Sequence, residues 1–157
     1  TTADGARTLQ QSIDINAPVT PLWRAFAEAE QFKRWNSPVA AIDMRVGGSL
    51  EASYDAAHAL GDPDNIRHRV ITFLPERLIV FQNIQAPKRL VGAEAFQRTI
   101  TIVEYMPLSA DRTRVQISST GWGNDDAANR LYVFFKAGNA SLLRKMKAVF
   151  EASAAAK

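Results

Sequence analysis

Two histidines are the side chains of this sequence best suited to acid–base chemistry near neutral pH. His58 lies in a stretch rich in turn-forming residues, close to Asp62 and Asp64, and could serve as a general base. Such a base needs partners within hydrogen-bond reach, and spacing along the chain does not establish them. A solvated loop histidine is therefore the alternative interpretation of His58.

The second histidine, His68, is flanked by Arg67 and Arg69 in a run that alternates like a β-strand. If Ile71 and Phe73 face the interior, alternation places both arginines on the same inner face and directs His68 outward. An inward arginine such as Arg69 could bind a carboxylate or phosphate through a bidentate pair. The alternative is an arginine whose aliphatic stem packs on the sheet while its guanidinium reaches the rim.

The sequence lacks the motifs of other catalytic and cofactor sites. It contains no cysteine, which excludes disulfides, thiolate nucleophiles and cysteine-based zinc sites. Neither histidine has a second histidine one helical turn away, and Asp62 and Asp64 lack the remaining ligands of a calcium loop. The Gly47-Gly48 pair is typical of a hairpin turn, not of a phosphate-binding loop. We therefore predict no catalytic set, no metal and no cofactor.

Aromatic and polar side chains near the junctions between elements are better candidates for a binding site. Small-molecule sites are lined mainly by apolar and aromatic groups, with a few polar groups that orient the ligand. Core packing is the alternative for each aromatic residue, and an internal hydrogen bond is the alternative for a buried amide. The predicted ligand-binding residues are Trp23, Trp35, Tyr54, Arg69, Phe81, Tyr105, Trp122, Phe135 and Asn139.

The longest element that could position these residues is a C-terminal helix over residues 124–152. Its apolar side chains recur at spacings of three and four and so share one face; they are Leu131, Phe134, Phe135, Gly138, Leu142, Met146, Val149 and Phe150. Asn124 is a suitable N-cap, and Asp125 and Asp126 place negative charge on the first turn. A helix about 40 Å long needs a broad apolar surface to cover this face.

The preceding chain supplies that surface as strands. The alternation and turn residues predict a strand at 8–15, helices at 18–30 and 32–35, and strands at 39–46, 49–55, 66–74, 77–84, 96–106 and 113–120. No helical crossover separates the later strands, which favours an antiparallel meander. We predict an α+β helix-grip fold in one domain over residues 1–157. It has a curved antiparallel sheet of six to seven strands around the C-terminal helix, two short helices after strand 1, and a loose tail at 1–6.

Several motifs, in this order, resemble the helix-grip superfamily (SRPBCC) that includes START lipid-transfer domains and the birch-pollen allergen. Within it, the chain resembles homologues of the activator of the heat-shock-protein-ninety ATPase. The matching motifs are Ile15-Asn16-Ala17-Pro18 with Leu22-Trp23; Phe32-Lys33-Arg34-Trp35; Asp43-Met44-Arg45-Val46-Gly47-Gly48-Ser49-Leu50; Phe73-Leu74-Pro75-Glu76-Arg77-Leu78; Thr113-Arg114-Val115; and Gly121-Trp122. The resemblance implies an apolar cavity between the sheet and the long helix.

Three functions are compatible with these observations. The leading hypothesis is a module that binds a small apolar or amphipathic ligand in this cavity. The first alternative is an enzyme of the cyclase, dehydratase or hydrolase type that uses the same cavity. The second alternative is a chaperone-associated interaction module, as the resemblance implies.

Charge and composition bear on the partners and the compartment. The 19 basic and 16 acidic residues give a formal net charge of +3, with the basic residues scattered rather than clustered, so we predict no nucleic-acid binding. No apolar run is long enough to span a membrane. An exposed sheet edge could support a homodimer. The absence of an initial methionine and of cysteine favours an exported or periplasmic mature chain over a cytoplasmic one.

Overall fold

The computed structural model of the protein describes residues 6–156. In chain order the elements are β1 (Arg7–Ile15), α1 (Val19–Ala27), α2 (Ala29–Lys33), β2 (Val39–Ile42), β3 (Ser49–Ser53), β4 (Ile66–Leu74), β5 (Leu78–Gln85), α3 (Ala93–Gln97), β6 (Ile100–Ser109), β7 (Arg112–Trp122) and α4 (Asp126–Ala155). The predicted tail at residues 1–6 lies outside the described residues except for Ala6. No helix within residues 6–156 is both long enough and apolar enough to cross a membrane.

The strands form one seven-stranded antiparallel sheet in the order β1-β7-β6-β5-β4-β3-β2. Strands β2 to β7 follow one another as a meander, and β1 joins the sheet beside β7. The sheet curves around α4, so the predicted α+β helix-grip fold is confirmed. β1 and β2 are the two edges of the sheet.

Several elements begin or end differently from the prediction. The strand predicted at 39–46 ends at Ile42, and the second helix, predicted at 32–35, spans Ala29–Lys33. The alternation predicts one strand over residues 96–106, but α3 occupies its first part and β6 begins at Ile100. Helix α3 follows Gly92, whose φ of 80° is left-handed, and Ala95 and Phe96 are buried on it. The N-cap of α4 is Asp125 rather than Asn124, because the Asp125 carboxylate accepts a hydrogen bond from the Ala128 amide at 2.9 Å.

The long helix α4 packs tightly at its two ends and stands off the sheet in the middle. It contains 30 residues and is therefore about 45 Å long. Near its start, Ala128 and Leu131 are buried against β1, β7 and α3. In its second half, Leu143, Met146 and Phe150 join the larger core formed by α1, α2 and the sheet. The segment between these two cores faces a cavity.

Candidate ligand-binding site

A cavity of about 540 Å³ lies between the middle of α4 and the inner face of the sheet. This volume falls within the usual range for small-molecule sites. Strands β3 to β7 form its floor, α4 forms its roof, and α1, α2 and the loop after β5 close its sides. The apolar part of the wall consists of Phe26, Phe32, Trp35, Leu50, Ala52, Ile66, Phe81, Ala86, Pro87, Leu90, Phe96, Val103, Ile117, Phe134, Phe135 and Leu142.

The cavity brings together five of the predicted ligand-binding residues: Trp35, Tyr54, Phe81, Phe135 and Asn139. They come from the end of α2, the end of β3, β5 and α4, so elements far apart in sequence converge on one site. The indole of Trp35 is 4% exposed and is held by neighbouring aromatic rings. Tyr54, by contrast, is 47% exposed and lies at the opening.

Three predicted aromatic residues lie in the core instead of the cavity wall. Trp23 contacts Tyr105 in an edge-on arrangement, with ring centroids 5.7 Å apart, in the larger core. The Tyr105 hydroxyl is enclosed without a partner among the described residues, and burial raises its pKa well above the usual value. Trp122 is fully buried in the smaller core, beside Phe96. The core-packing alternative holds for these three residues.

The predicted orientation of β4 is wrong, because the strand contains a β-bulge. Val70 pairs with Phe81, and Thr72 pairs with Val80, the neighbouring residue of β5. Ile71 is therefore an extra residue without a partner on β5. An extra residue reverses the alternation, which places both His68 and Phe73 on the inner face. Arg69 is exposed and does not line the cavity, and neither does Arg67. The proposed inward arginine anchor on this strand is therefore corrected to an inward histidine.

His68 lies in the cavity wall in its neutral form. Its ring packs against Phe81, with centroids 4.7 Å apart, and against Phe96 at 6.2 Å. Burial in this apolar environment lowers the pKa of His68 to about 4, because the charged imidazolium would lose its hydration. Its Nδ1 atom is enclosed without a hydrogen-bond partner among the described residues. No carboxylate belongs to the cavity wall that residues 6–156 form.

Asn83 lies opposite His68 in the β4–β5 ladder and also lines the cavity. Its Nδ2 group donates to the Arg67 carbonyl at 3.2 Å and to the Gln85 carbonyl at 2.9 Å. Its Oδ1 atom is enclosed and has no partner within the described chain. Sequence reasoning missed this residue, although alternation from Phe81 two positions earlier would have indicated it.

The rim of the cavity is positively charged. Arg89, in the loop after β5, and Lys145, on α4, are both exposed and both belong to the lining. Tyr54 and Arg89 lie together at this opening, since both line the cavity and the small pocket beside it. Phe134 adds an apolar side chain at the same opening and is 57% exposed.

His58 lies outside this cavity and stabilises the loop between β3 and β4. Its Nδ1 atom is 2.9 Å from Oδ1 of Asn65 and 3.2 Å from Oγ of Ser53. Its Nε2 atom is 3.6 Å from the Asp55 carboxylate. The hydrogen bond to Asn65 is the main cause that raises the pKa of His58, with the carboxylates of the loop adding to it.

The two features that a histidine general base needs are therefore divided between two residues. His68 faces the cavity but has no carboxylate beside it in the wall that the described residues form, whereas His58 has carboxylates but does not line the main cavity. Within residues 6–156, no three His, Asp or Glu side chains cluster in a way that could hold a metal ion. The geometry is that of a largely apolar cavity with a few oriented polar groups in its wall.

Comparison with known proteins relates the chain to a family. Among solved structures, the Aha1 dimer from Colwellia psychrerythraea superposes with a TM-score of 0.72 at 15% identity, covering 92% of this chain and 96% of that one. Protein MLL2253 from Mesorhizobium loti superposes with a TM-score of 0.71 at 19% identity, covering 91% of this chain and 96% of the other. At these identities the likeness concerns the fold. No curated protein matches the chain.

The sequence profile described as "Activator of Hsp90 ATPase homolog 1-like protein" matches residues 16–151. This match runs from the end of β1 almost to the end of α4, so it includes every strand except β1 and every helix that forms the cavity. The chain belongs to the activator of Hsp90 ATPase homolog 1-like family.

Proposed function

We propose that the protein binds a small, mostly apolar or amphipathic ligand in the cavity between the sheet and α4. The observation that carries this proposal is the way α4 is supported. Its two ends are buried in separate cores, while its middle spans a cavity of about 540 Å³ with a largely apolar wall. A helix that only completed a core would also bury its middle, because interiors normally pack with few voids.

The energetics of the wall favour an apolar occupant. Phe81, Phe96 and Phe135 all present ring surface to the cavity. Phe81 and Phe96 are already mostly buried, so the main gain comes from the apolar surface of the ligand itself, at about 25 cal/mol per Å² removed from water. Shielding of the half-buried Phe135 adds to that gain.

The rim supports a polar or acidic head group on the ligand. Arg89 and Lys145 bring two positive charges to the opening, and the part of the chain that the structure describes contributes no acidic residue to the lining. A carboxylate, sulfate or phosphate would therefore meet attraction without repulsion at this position. An amphipathic molecule would then bind with its apolar body inside and its head group between these two side chains.

The first experiment is native mass spectrometry of the purified protein, before and after mild denaturation. A mass excess that disappears on denaturation would identify a co-purified ligand and give its mass. A delipidated sample would then be titrated with fatty acids, sterols and aromatic compounds. Failure of the whole panel to bind below millimolar concentration would overturn the proposal.

A chaperone-associated role is the second candidate, and the family description is the observation that favours it. This role would use an outer surface of the domain and would not require the cavity. Stimulation of a purified Hsp90 ATPase tests it directly. Stimulation that persists when the cavity is filled by Gly138→Trp would favour the chaperone role, and absence of stimulation or of any complex would count against it.

A homodimer is the assembly that we propose for the protein. The Aha1 structure from Colwellia psychrerythraea is a dimer. In this chain, β1 and β2 are the edges of the sheet and could pair with a second copy. Light scattering coupled to gel filtration would measure the mass in solution, and a monomer at high micromolar concentration would contradict this assembly.

A further inference from the structure

Two polar side chains in the floor of the cavity have unused hydrogen-bonding atoms. His68 on β4 and Asn83 on β5 are paired across the sheet, and both line the cavity. Nδ1 of His68 and Oδ1 of Asn83 are both enclosed and make no hydrogen bond to the described residues. Buried polar atoms are rarely left in this state, and each such case calls for a partner or a role.

The orientation of the Asn83 amide is fixed by the backbone. Its Nδ2 group donates to two carbonyl oxygens, those of Arg67 and Gln85. Exchanging the amide nitrogen and oxygen would place Oδ1 against both carbonyls, which cannot donate. Oδ1 is therefore an acceptor only, and it remains unused on the strand next to His68.

This fixed acceptor determines the favoured tautomer of His68. A neutral imidazole carries one donor and one acceptor nitrogen. If Nδ1 were the acceptor, the paired residues His68 and Asn83 would enclose two unused acceptors and no donor. A proton on Nδ1 instead gives this pair of residues one donor and one acceptor, and Nε2 then keeps its lone pair.

The Nε2 atom is the part of His68 that a ligand can reach. His68 is partly exposed and its accessible surface faces the cavity. Within the described chain Nε2 makes no hydrogen bond, and it is absent from the set of fully enclosed unpaired atoms. The cavity therefore contains a neutral acceptor set among the aromatic rings of Phe81 and Phe96.

We infer that the ligand carries an uncharged hydrogen-bond donor, a hydroxyl or N–H group, which it places against Nε2 of His68. This inference rests on the proposed function. A group that only accepts, such as an ether or ketone, leaves the histidine unpaired and is disfavoured. An ammonium group is disfavoured too, because no carboxylate in the wall formed by residues 6–156 would compensate its buried charge.

The test compares two ligands of nearly the same shape, 4-octylphenol and 4-octylanisole, by isothermal titration calorimetry. Only the phenol can donate a hydrogen bond. The wild-type protein is expected to bind it about five- to tenfold more tightly, as one neutral hydrogen bond provides. In His68→Phe the preference should disappear while the affinity for the anisole remains. Arg69→Gln, on the outer face of the same strand, is the matched control and should keep the preference.

The outcomes separate the inference from the proposed function. Equal affinity of the wild-type protein for the phenol and the anisole would overturn the donor inference and leave cavity binding intact. If octylbenzene, the anisole and the phenol all fail to bind, the cavity-binding proposal itself is overturned.

A second measurement does not depend on the folding of the variant. Nitrogen-15 NMR of the wild-type imidazoles reports which nitrogen of His68 carries the proton. A proton on Nδ1, with an Nε2 resonance that shifts on addition of 4-octylphenol but not of 4-octylanisole, supports the inference. A proton on Nε2 would overturn it.

Discussion

The indole Nε1 of Trp35 donates a buried hydrogen bond to the carbonyl oxygen of Ala25 at 3.0 Å. This bond connects the turn after α2 to α1, and the same indole forms part of the cavity wall. Phe26 and Phe32 pack edge-on against it, with ring centroids 4.9 and 5.6 Å away. The aromatic cluster formed by Phe26, Phe32 and Trp35 therefore belongs both to the core and to the ligand site.

Trp35→Phe should destabilise the protein and remove its fluorescence response to ligand. The substitution leaves the buried Ala25 carbonyl without its donor and reduces the packed volume, so we expect a loss of about 1–3 kcal/mol in the free energy of unfolding. Trp35 is the tryptophan in the cavity wall, whereas Trp23 and Trp122 lie in the cores. Urea denaturation and ligand titration by tryptophan emission measure the two effects. Trp23→Phe should keep the emission change, and its loss there would contradict the assignment.

Gly138 offers a way to fill the cavity from the helix. It lies in the interior of α4 and lines the cavity, and a Cβ atom at this position would meet nothing within 4 Å beyond its own stretch of helix. Gly138→Ala should therefore raise the free energy of unfolding by about 0.5–1 kcal/mol, because glycine is a poor helix former, and should leave ligand binding intact. Gly138→Trp should fill the cavity and abolish binding.

The control for the bulky variant is Ala137→Trp, one position earlier on an exposed face of the same helix. Calorimetry with any ligand found by the screen, together with thermal unfolding, measures both properties. If Gly138→Trp binds the ligand as tightly as Ala137→Trp does, the ligand is not in this cavity.

The fold was predictable because its signals are local and repeated. The period of three and four in α4 and the alternation of the strands persist over many residues, so isolated exceptions do not alter the assignment. The N-cap of α4 was predicted at Asn124 and lies at Asp125, an error of one residue. Both side chains are suitable N-caps, and the local backbone conformation decides between them.

The site was harder to predict, because it depends on single residues. The bulge at Ile71 looks in sequence like any other strand position, yet it turns His68 inward and Arg69 outward. The alternation of side chains in the sequence does not reveal an inserted residue. Strict alternation along β4 therefore assigned His68 and Arg69 to the wrong faces of the sheet. Trp122, predicted as a ligand-binding residue, lies in the smaller core for a different reason. Whether an aromatic ring fills a core or lines a cavity depends on how far α4 stands from the sheet, which no local pattern encodes.

The charges at the rim should favour anionic ligands over neutral ones. Replacing both Arg89 and Lys145 by glutamine should weaken dodecanoate binding by about three- to tenfold, since each exposed charge pair contributes about 0.2–1 kcal/mol and two are lost. Binding of methyl dodecanoate, which has no charge, should change little. The control Arg69→Gln/Lys136→Gln removes the same net charge from exposed positions outside the lining. An equal loss of dodecanoate affinity in both double variants would show a general charge effect and contradict a role for the rim.

His68 should make the protein sensitive to acid. The pKa of its imidazole is about 4 in the folded state, compared with 6.5 for the unperturbed group. Between these values the unfolded chain binds a proton that the folded chain does not, so stability falls as the pH falls. We expect the free energy of unfolding to decrease by about 2–3 kcal/mol between pH 7 and pH 4.5 through this residue. Urea denaturation of the wild type and His68→Phe at both pH values isolates it, and a stability difference independent of pH would contradict a buried neutral His68.

His58 should act in the opposite direction. The hydrogen bond to Asn65, aided by the nearby carboxylates, raises the pKa of His58 above 6.5 in the folded state. The protonated form is therefore favoured by folding, and this stabilisation is fully present below pH 6.5 and is lost as the pH rises through the folded-state pKa. His58→Gln should have its largest destabilising effect near pH 6 and a smaller one near pH 8, as measured by thermal unfolding.

Because His58 holds the loop that carries Asp62 and Asp64, amide hydrogen exchange in that loop should rise with pH in the wild type more than base catalysis alone predicts. A destabilisation by His58→Gln that grows from pH 6 to pH 8 would show that the imidazole is held neutral and would refute this sign.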